Sequence, residues 1–563
     1  MRSKIKRVAL LTKNVIKNPT RAFSKITRKI NNEGITGFVY AVKKKLSTGE
    51  NAPENKIADM NEAYQTWRKY NELSENDLQV QRELSTKFKK KPVISIITPV
   101  YRPPVDVLEE LIKSVLAQTY PYFELCLAEV AQNEECIKLI KKYQQIDTRI
   151  KARFMPTNGG IAIDSNACIE LATGDYIALL DHDDLISPDA LFENAKMINE
   201  GDYDFIYSDK DKIDENDRHY EPMFKPGWSP EIMFNANYLT HLNVFKHSLI
   251  KKIGGWNTNT DGAQDWDLFL RLIQVSKKIG HIPKVLYHWR VLETSTAHSI
   301  MAKPYAMEGQ RNAITYSTHK AGLNVNITHT KDGFLGVNWK NQKVNHKILI
   351  VYITEQNAAE AKNQLTKQLS GVEFDYEILP VPSHDGRLFI SSLNKGHKAG
   401  RDLLVLNSDI SSKISDQQMH EVAGWLSIDK VAIASPHIRS HSGGLFDVGR
   451  ILGFRALFGP IYTEGTYTPS IFGFHEWIRN TSAGSPFFSL IKSSAFTKIT
   501  KNIKIERNET ALDAFWKVNI LLRSLDFRVV STPYVTLNIE KGTPAQEPSP
   551  SIQTVQLAKK HFS

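Results

Sequence analysis

At 563 residues, with 41% hydrophobic side chains, the chain is too long for one ordinary core and predicts two or three domains. Its three cysteines, Cys126, Cys136 and Cys168, show neither CxxC pairing nor zinc spacing, which excludes a disulfide scaffold and fits a reducing, intracellular compartment. The net charge of +11 is a tail property, because residues 1–45 hold 13 Lys or Arg against Glu33 alone and leave a balance of −1 for the rest.

In that tail Val8, Leu11, Val15, Phe23, Ile26, Ile30, Phe38, Val39 and Val42 recur near a helical period and end in Lys43-Lys44-Lys45. The pattern predicts a basic amphipathic segment over 1–46 resting on an anionic membrane face. Nucleic acid is the rival partner, but no basic patch interleaved with aromatics recurs downstream, so no nucleic-acid role is expected. No stretch has the apolar length of a transmembrane helix, and no signal peptide is apparent, so a cytoplasmic, peripherally attached protein is expected. After a polar break, residues 58–90 read as a helical lead-in, with Tyr64, Trp67 and Tyr70 forming a packing stripe.

From Val93 strands and helices alternate. The strands are Val93 to Val100, Phe123 to Ala128, Ile150 to Met155 and Tyr176 to Leu180. Between them lie helices through Leu108 and Leu116, around Ile137 to Tyr143, and over Ile163 to Leu171. Such alternation predicts an α/β domain over 91–330, its mostly parallel sheet covered by helices on both faces. Ligands then bind beyond the carboxyl ends of the strands. Three loops meet there: Thr98-Pro99-Val100-Tyr101, Glu129-Val130-Ala131-Gln132 and Asp181-His182-Asp183-Asp184.

In an extended segment Asp181 and Asp183 share a face, and an oxygen-only ligand set suits Mg²⁺ or Mn²⁺. A solvated acidic turn is the alternative. Ser187-Pro188 predicts a helix cap just beyond, pinning the cluster between strand and helix. Further on, Gln264-Asp265-Trp266-Asp267 begins an amphipathic helix with carboxylates in its first turn, a placement that also favours the helix dipole. Leu286-Tyr287-His288-Trp289-Arg290 places an imidazole two residues from a guanidinium; either suits phosphate or metal, and a hydrogen-bonded core histidine is the commoner outcome.

Past a break near 330–345, Lys347 to Tyr352 opens another strand, and Leu403 to Leu406 runs into Asn407-Ser408-Asp409. The echo predicts a second domain of similar plan over 346–563 with fewer carboxylates.

Five ordered segments, VISIITPVY (93–101), NGGIAIDSNACIELATGDYIALLDHDD (158–184), YSDKDKID (207–214), GAQDWDLFLRL (262–272) and LYHWR (286–290), resemble family 2 glycosyltransferases of the GT-A fold. More narrowly they resemble bacterial enzymes building O-antigen, rhamnan and similar surface polysaccharides; the run from Tyr64 to Glu72 resembles that group's lead-in. The resemblance implies a metal-dependent inverting transfer of a hexosyl or deoxyhexosyl group from a nucleotide-diphosphate sugar to a glycan or lipid-linked oligosaccharide. It implies a cation held by Asp183, with Asp181 near the ribose or donor sugar, and His288 and Arg290 near the metal or diphosphate. Asp265 matches the catalytic base, with Trp266 and Asp267 on the acceptor side. Thr98, Pro99 and Tyr101 flank the base. Where relatives show paired aspartates, Glu129-Val130 leaves one carboxylate for the N3 hydrogen of uracil or thymine, so UDP- and dTDP-sugars both remain open.

GRILG (449–453), RNTSAG (479–484) and FRVVSTPY (527–534) extend the resemblance into a tandem GT-A-like domain. There Val351-Tyr352-Ile353-Thr354 lacks the usual proline, and only Glu509 and Asp513 lie near the expected acidic helix start. A degenerate copy serving acceptor binding, packing or self-association is expected, against a bifunctional enzyme with two active centres. A dinucleotide-dependent oxidoreductase would need a Gly-rich turn where Pro99 to Pro104 supplies none. A non-catalytic glycan-binding scaffold is the remaining alternative.

Overall fold

The computed structural model describes residues 53–260, 262–292, 304–329, 335–339, 347–440, 443–453, 456–461, 477–539 and 549–562. The basic segment predicted over 1–46 lies outside them. The chain divides into two compact units, Met1–Glu72 and Leu73–Ser563. In the first, the described helix is Pro53–Asn71, where Tyr64 and Trp67 stack at 5.7 Å while Tyr70 is exposed. The lead-in is therefore two helices rather than one. The second, Glu75–Lys87, begins at a capping box in which Ser74 and Asp77 exchange side-chain-to-backbone hydrogen bonds.

The first sheet contains β1 (Ile94–Val100), β2 (Phe123–Glu129), β3 (Ile150–Phe154), β4 (Tyr176–Leu179), β5 (Leu185–Ile186), β6 (Phe205–Ile213), β7 (His219–Met223), β8 (Asn243–Lys246) and β9 (Ile279–Arg290). Its order is β3-β2-β1-β4-β8-β6-β9-β5, with β7 paired to β6. β1, β2, β3 and β4 run parallel, β8 runs against both β4 and β6, and β6 is parallel to β9. One reversal thus leaves the carboxyl ends of β1, β2, β4, β6 and β9 on a single edge. Nearly continuous burial along β1 and β2 is what a strand covered on both faces requires.

A hairpin, β10 (Val325–His329) and β11 (Leu335–Trp339), precedes the second sheet. That half contributes β12 (Lys347–Ile353), β13 (Asp375–Val381), β14 (Asp402–Asn407), β15 (Val431–Arg439), β16 (Leu445–Asp447), β17 (Arg450–Leu452), β18 (Phe458–Pro460), β19 (Arg479–Thr481), β20 (Phe488–Ile491) and β21 (Arg528–Asn538). The main order is β13-β12-β14-β20-β15-β21-β19. From β13 to β21 the parallel and antiparallel neighbours follow the same sequence as from β2 to β9. One apolar cluster runs through both halves, including Ile97, Phe205 and Trp266 from the first and Tyr352, Trp425 and Leu490 from the second.

Local departures from the sequence reading have identifiable causes. The helix predicted to start at Ser187 starts at Ala190, because the Ser187 hydroxyl bonds the Asp189 carboxylate instead of capping. Residues 181–184 are not extended: Asp184 N donates to Asp181 O at 3.2 Å, closing a turn.

Candidate active site

The crevice lies where the one-edge arrangement of strand ends puts it. β4 delivers the acidic turn. The helix Gln264–Val275 precedes β9, so its first turn, carrying Asp265, begins at the same edge. β8 runs the opposite way, so Thr240 and His241, just before it, also face this edge.

The turn is braced from below. Asp184 is fully buried, accepting the Tyr287 hydroxyl at 2.5 Å and Arg290 N at 2.8 Å. Burial, then repulsion from Asp183 and Asp181, raises its carboxyl well above the usual range. Arg290, 4% exposed, donates to Asp183 O at 3.1 Å and pairs with Glu110 at 2.6 Å and Asp217 at 3.2 Å. The guanidinium is committed to holding the turn, which differs from the diphosphate contact expected of it.

Asp181 lies 3.5 Å from His241 and keeps 46% of its side chain in solvent. Enclosure by the crevice walls, then repulsion from Asp265 and Asp183, pushes its carboxyl up to about 8, against the pull of Lys210. Because water still reaches that side chain, it moderates the burial contribution and leaves more weight on the repulsion. Asp265 is also raised, by burial, and receives a long 3.5 Å bond from Trp256. Asp181 therefore feels the charge of Asp265 across the crevice. His241 is held well below its usual range by burial and by Lys210 and Lys225, so its imidazole is neutral.

Those two lysines are buried. Lys225 donates to the carbonyls of Leu239 and His241 at 3.0 and 2.7 Å. Lys210 has a 3.4 Å bond to Thr240 and lies 4.7 Å over the Trp289 ring, its pKa lowered to about 8 by burial although Asp184 and Asp181 oppose the shift. The sequence reading passed over both. The available signal was the charge alternation Asp209-Lys210-Asp211-Lys212 inside an apolar strand, since buried charges come in compensated sets.

Three other residues stand differently from expectation. Both Glu129 oxygens are taken by main-chain donors, Ala131 and Asn133 at 3.1 Å and Gln132 at 3.0 Å, so this carboxylate organises its own loop rather than offering itself to a base. Asp267 is 3% exposed and paired with Arg271 at 2.6 Å. Trp266 is buried with its indole on Met233 O at 2.9 Å, so neither it nor Asp267 faces an acceptor. His288 gives Nδ1 to Asp211 at 2.7 Å. Among the described residues, the metal-competent trio is Asp211, His219 and His288, whose ligand atoms lie within 4.8 Å of one another.

Of the predicted nucleotide-side loop, Thr98 is buried with its hydroxyl unpartnered, Pro99 O receives His182 Nδ1 at 3.2 Å, and Tyr101 is exposed. A cavity of about 830 Å³ lined by Lys90, Thr173, Asp175 and Lys246 opens at the opposite, amino-terminal ends of β1 and β4.

The family model for glycosyl transferase family 2 matches residues 95–253. An uncharacterized glycosyltransferase of Methanocaldococcus jannaschii is 30% identical over 207 residues, covering 36% of this chain and 71% of that protein. The chain belongs to glycosyl transferase family 2. An uncharacterized protein of Sinorhizobium fredii is 42% identical over 236 residues, 41% of this chain and 26% of that protein. The O-antigen biosynthesis protein RfbC of Myxococcus xanthus is 28% identical over 249 residues, 44% of this chain and 20% of that protein. The chain thus spans about a quarter or less of the length of those two relatives.

The family match, from 95 to 253, ends before the helix of Asp265 and before β9. The mixed sheet with flanking helices is the GT-A-like α/β fold of family 2 glycosyltransferases. In the second half, the helix equivalent in order to Gln264–Val275 is Ala511–Arg523. Its second residue is Leu512, where Asp265 stands in the first. Asp513, one position on, is consumed by a capping box with Thr510 and by Ser551 N at 2.6 Å.

Proposed function

We propose that this chain is a metal-dependent, inverting glycosyltransferase that moves a hexosyl or deoxyhexosyl group from a UDP- or dTDP-sugar to a hydroxyl of a lipid-linked glycan in bacterial surface-polysaccharide synthesis. One observation carries the reading. A helix-borne carboxylate, Asp265, and a strand-end acidic turn meet at the edge where sheet enzymes of this plan bind ligands, near enough for Asp265 to raise the Asp181 carboxyl.

The chemistry follows from that placement. Asp265 accepts the proton of the acceptor hydroxyl as its oxygen attacks the anomeric carbon from the face opposite the leaving group. The bond from that carbon to phosphate oxygen breaks, and the nucleoside diphosphate departs with the electron pair, which inverts configuration. Burial raises Asp265 and so strengthens it as a base once ionised.

The turn's residues fit a hard divalent cation, Mn²⁺ or Mg²⁺. Burial, then the negative charges of Asp265 and Asp183, lift Asp181 to about 8, and a cation beside Asp181 and Asp183 relieves that repulsion. When bound, the ion supplies electrostatic stabilisation of the leaving diphosphate. Asp183 and Asp181 are the residues assigned to hold it, and Arg290 and Asp184 fix the turn they stand on.

The surface-polysaccharide assignment is supported by the name of the Myxococcus xanthus relative. The basic 1–46 segment is assigned to an anionic membrane face, giving a peripheral protein; among the described residues no helix is long and apolar enough to cross a membrane. The 346–563 half is assigned as a degenerate GT-A-like domain, because its helix start has Leu512 at the base position and a committed Asp513. Incubating the full chain with a panel of nucleotide sugars and Mn²⁺ tests the whole reading. Release of nucleoside diphosphate that disappears in Asp183→Ala supports it, and donor binding without any turnover supports a glycan-binding scaffold instead.

A further inference from the structure

Asp211 is a fully enclosed carboxylate in β6 whose two oxygens are divided between two imidazoles. Oδ1 meets His288 Nδ1 at 2.7 Å, and Oδ2 meets His219 Nδ1 at 2.6 Å. The two rings stand at 90° with centroids 4.5 Å apart. Burial alone would raise this carboxyl, but His288 and His219 reverse the effect and hold it well below the usual range.

Register explains which imidazole matters. β6 and β9 place Asp211 opposite His288, while β5 and β9 place Leu185 opposite His288. Leu185 is two residues from Asp183, and Arg290, two residues beyond His288, grips Asp183 O. The imidazole is thus fastened to the same strand pair that carries the acidic turn. A carboxylate accepting from Nδ1–H fixes that tautomer and leaves the lone pair on Nε2, the arrangement metal-binding histidines use. His288 Nε2 has no hydrogen-bond partner among the described residues.

We propose that Asp211 is a positioning residue that locks His288 with Nε2 presented to the divalent cation serving the donor diphosphate, while His219 steadies the second oxygen of the same carboxylate. The proposal rests on the donor-site reading above and adds to it a buried carboxylate that acts through an imidazole.

Mn²⁺ alone, titrated into the full chain by calorimetry and followed by the electron paramagnetic resonance signal of free Mn²⁺, gives the test. Asp211→Ala should weaken Mn²⁺ binding about 10- to 100-fold, the usual loss for such a supporting carboxylate. Asp211→Asn keeps an acceptor oxygen for Nδ1–H and should recover part of it, which also covers the case in which the alanine variant fails to fold. In a His288→Ala background, Asp211→Ala should cost less than about twofold more, because a residue acting through an imidazole has nothing left to act on. A full additional loss there overturns the proposal. So does a loss in His219→Gln as large as in His288→Ala, which would mean that all three residues bind the ion directly. Mn²⁺ binding lost in Asp183→Ala but unaltered in Asp211→Ala overturns this inference alone, whereas binding unaltered in both overturns the donor-site reading beneath it.

Discussion

Replacing Asp184 separates support of the acidic turn from its chemistry. Its side chain is fully buried, with Oδ2 on the Tyr287 hydroxyl at 2.5 Å and Oδ1 on Arg290 N at 2.8 Å. Asp184→Ala leaves both donors buried and unpaired, at ~1–3 kcal/mol each, so ~2–6 kcal/mol in all. Asp184→Asn should cost less than ~1 kcal/mol: its carbonyl oxygen still serves Arg290 N, its amide donates to the Tyr287 oxygen, and a neutral amide mimics a carboxyl whose pKa is held high. Because the folded pKa is raised, the native state holds a proton that the unfolded state releases. That contribution is fully present below the ordinary carboxylate range and is lost as pH climbs towards the folded value. Differential scanning calorimetry of the full chain from pH 4 to 8 should show Asp184→Asn gaining on the native chain as pH rises. Asp184→Ala should lie several degrees below both throughout. Equal melting of the alanine and asparagine variants would refute the bracing argument, and so would an asparagine effect independent of pH.

Asp265→Asn should lower transfer by ~10²–10⁴-fold while leaving UDP affinity in calorimetry within about twofold; a loss below tenfold would remove it as the base. Asp513→Ala should lower the melting temperature, because it removes the carboxylate that answers Thr510 in the capping box and accepts Ser551 N, and Asp409→Ala should leave product formation unchanged; disappearance of one of two separable linkages in either variant would make the second half catalytic. Removing residues 1–45 should release the chain from phosphatidylserine vesicles in a sedimentation assay without changing nucleotide-sugar hydrolysis, and unchanged sedimentation would end the anchor assignment. Glu129→Gln should lower stability and not alter the preference between UDP and UMP, whereas a changed base preference in competition binding would return that carboxylate to the nucleotide.

The fold was legible because its signals are local. Buried runs such as Ile94–Val100 and Phe123–Glu129, alternating with amphipathic helices, dictate a parallel sheet and the edge at which ligands sit. Carboxylates at a strand end and at a helix start were legible for the same reason. What each does with its oxygens was not, since that depends on partners remote in sequence. Asp184 meets Tyr287 and Arg290, more than one hundred residues away, and Asp211 meets His288 at a separation of 77. Even short-range choices escaped periodicity: Glu129 turned to its own loop, and Asp267 to Arg271 one helical turn on. The buried pair Lys210 and Lys225 was missed because lysine is ordinarily read as surface, although the run Asp209-Lys210-Asp211-Lys212 marked the first of them.

The second half also braces the helix start that carries Asp265. Glu231 is 1% exposed and lies in the 3₁₀ turn Pro230–Phe234 of the first half. It receives Arg528 from β21 in a two-pronged pair, with contacts of 2.8 to 3.1 Å, and Asn480 from β19 at 2.7 Å. The same turn offers Met233 O to the Trp266 indole at 2.9 Å, and Trp266 is the residue next to Asp265. Asn235, which closes the turn, accepts Ile478 N at 3.2 Å. The first turn of the helix that carries Asp265 is thereby tied, through one short segment, to two strands of the second sheet. Misplacing a reacting group by about 1 Å costs ~10²-fold in rate, so on the proposed role of Asp265, Glu231→Ala should lower transfer by loosening that turn from the second sheet, and an unchanged rate would sever the link.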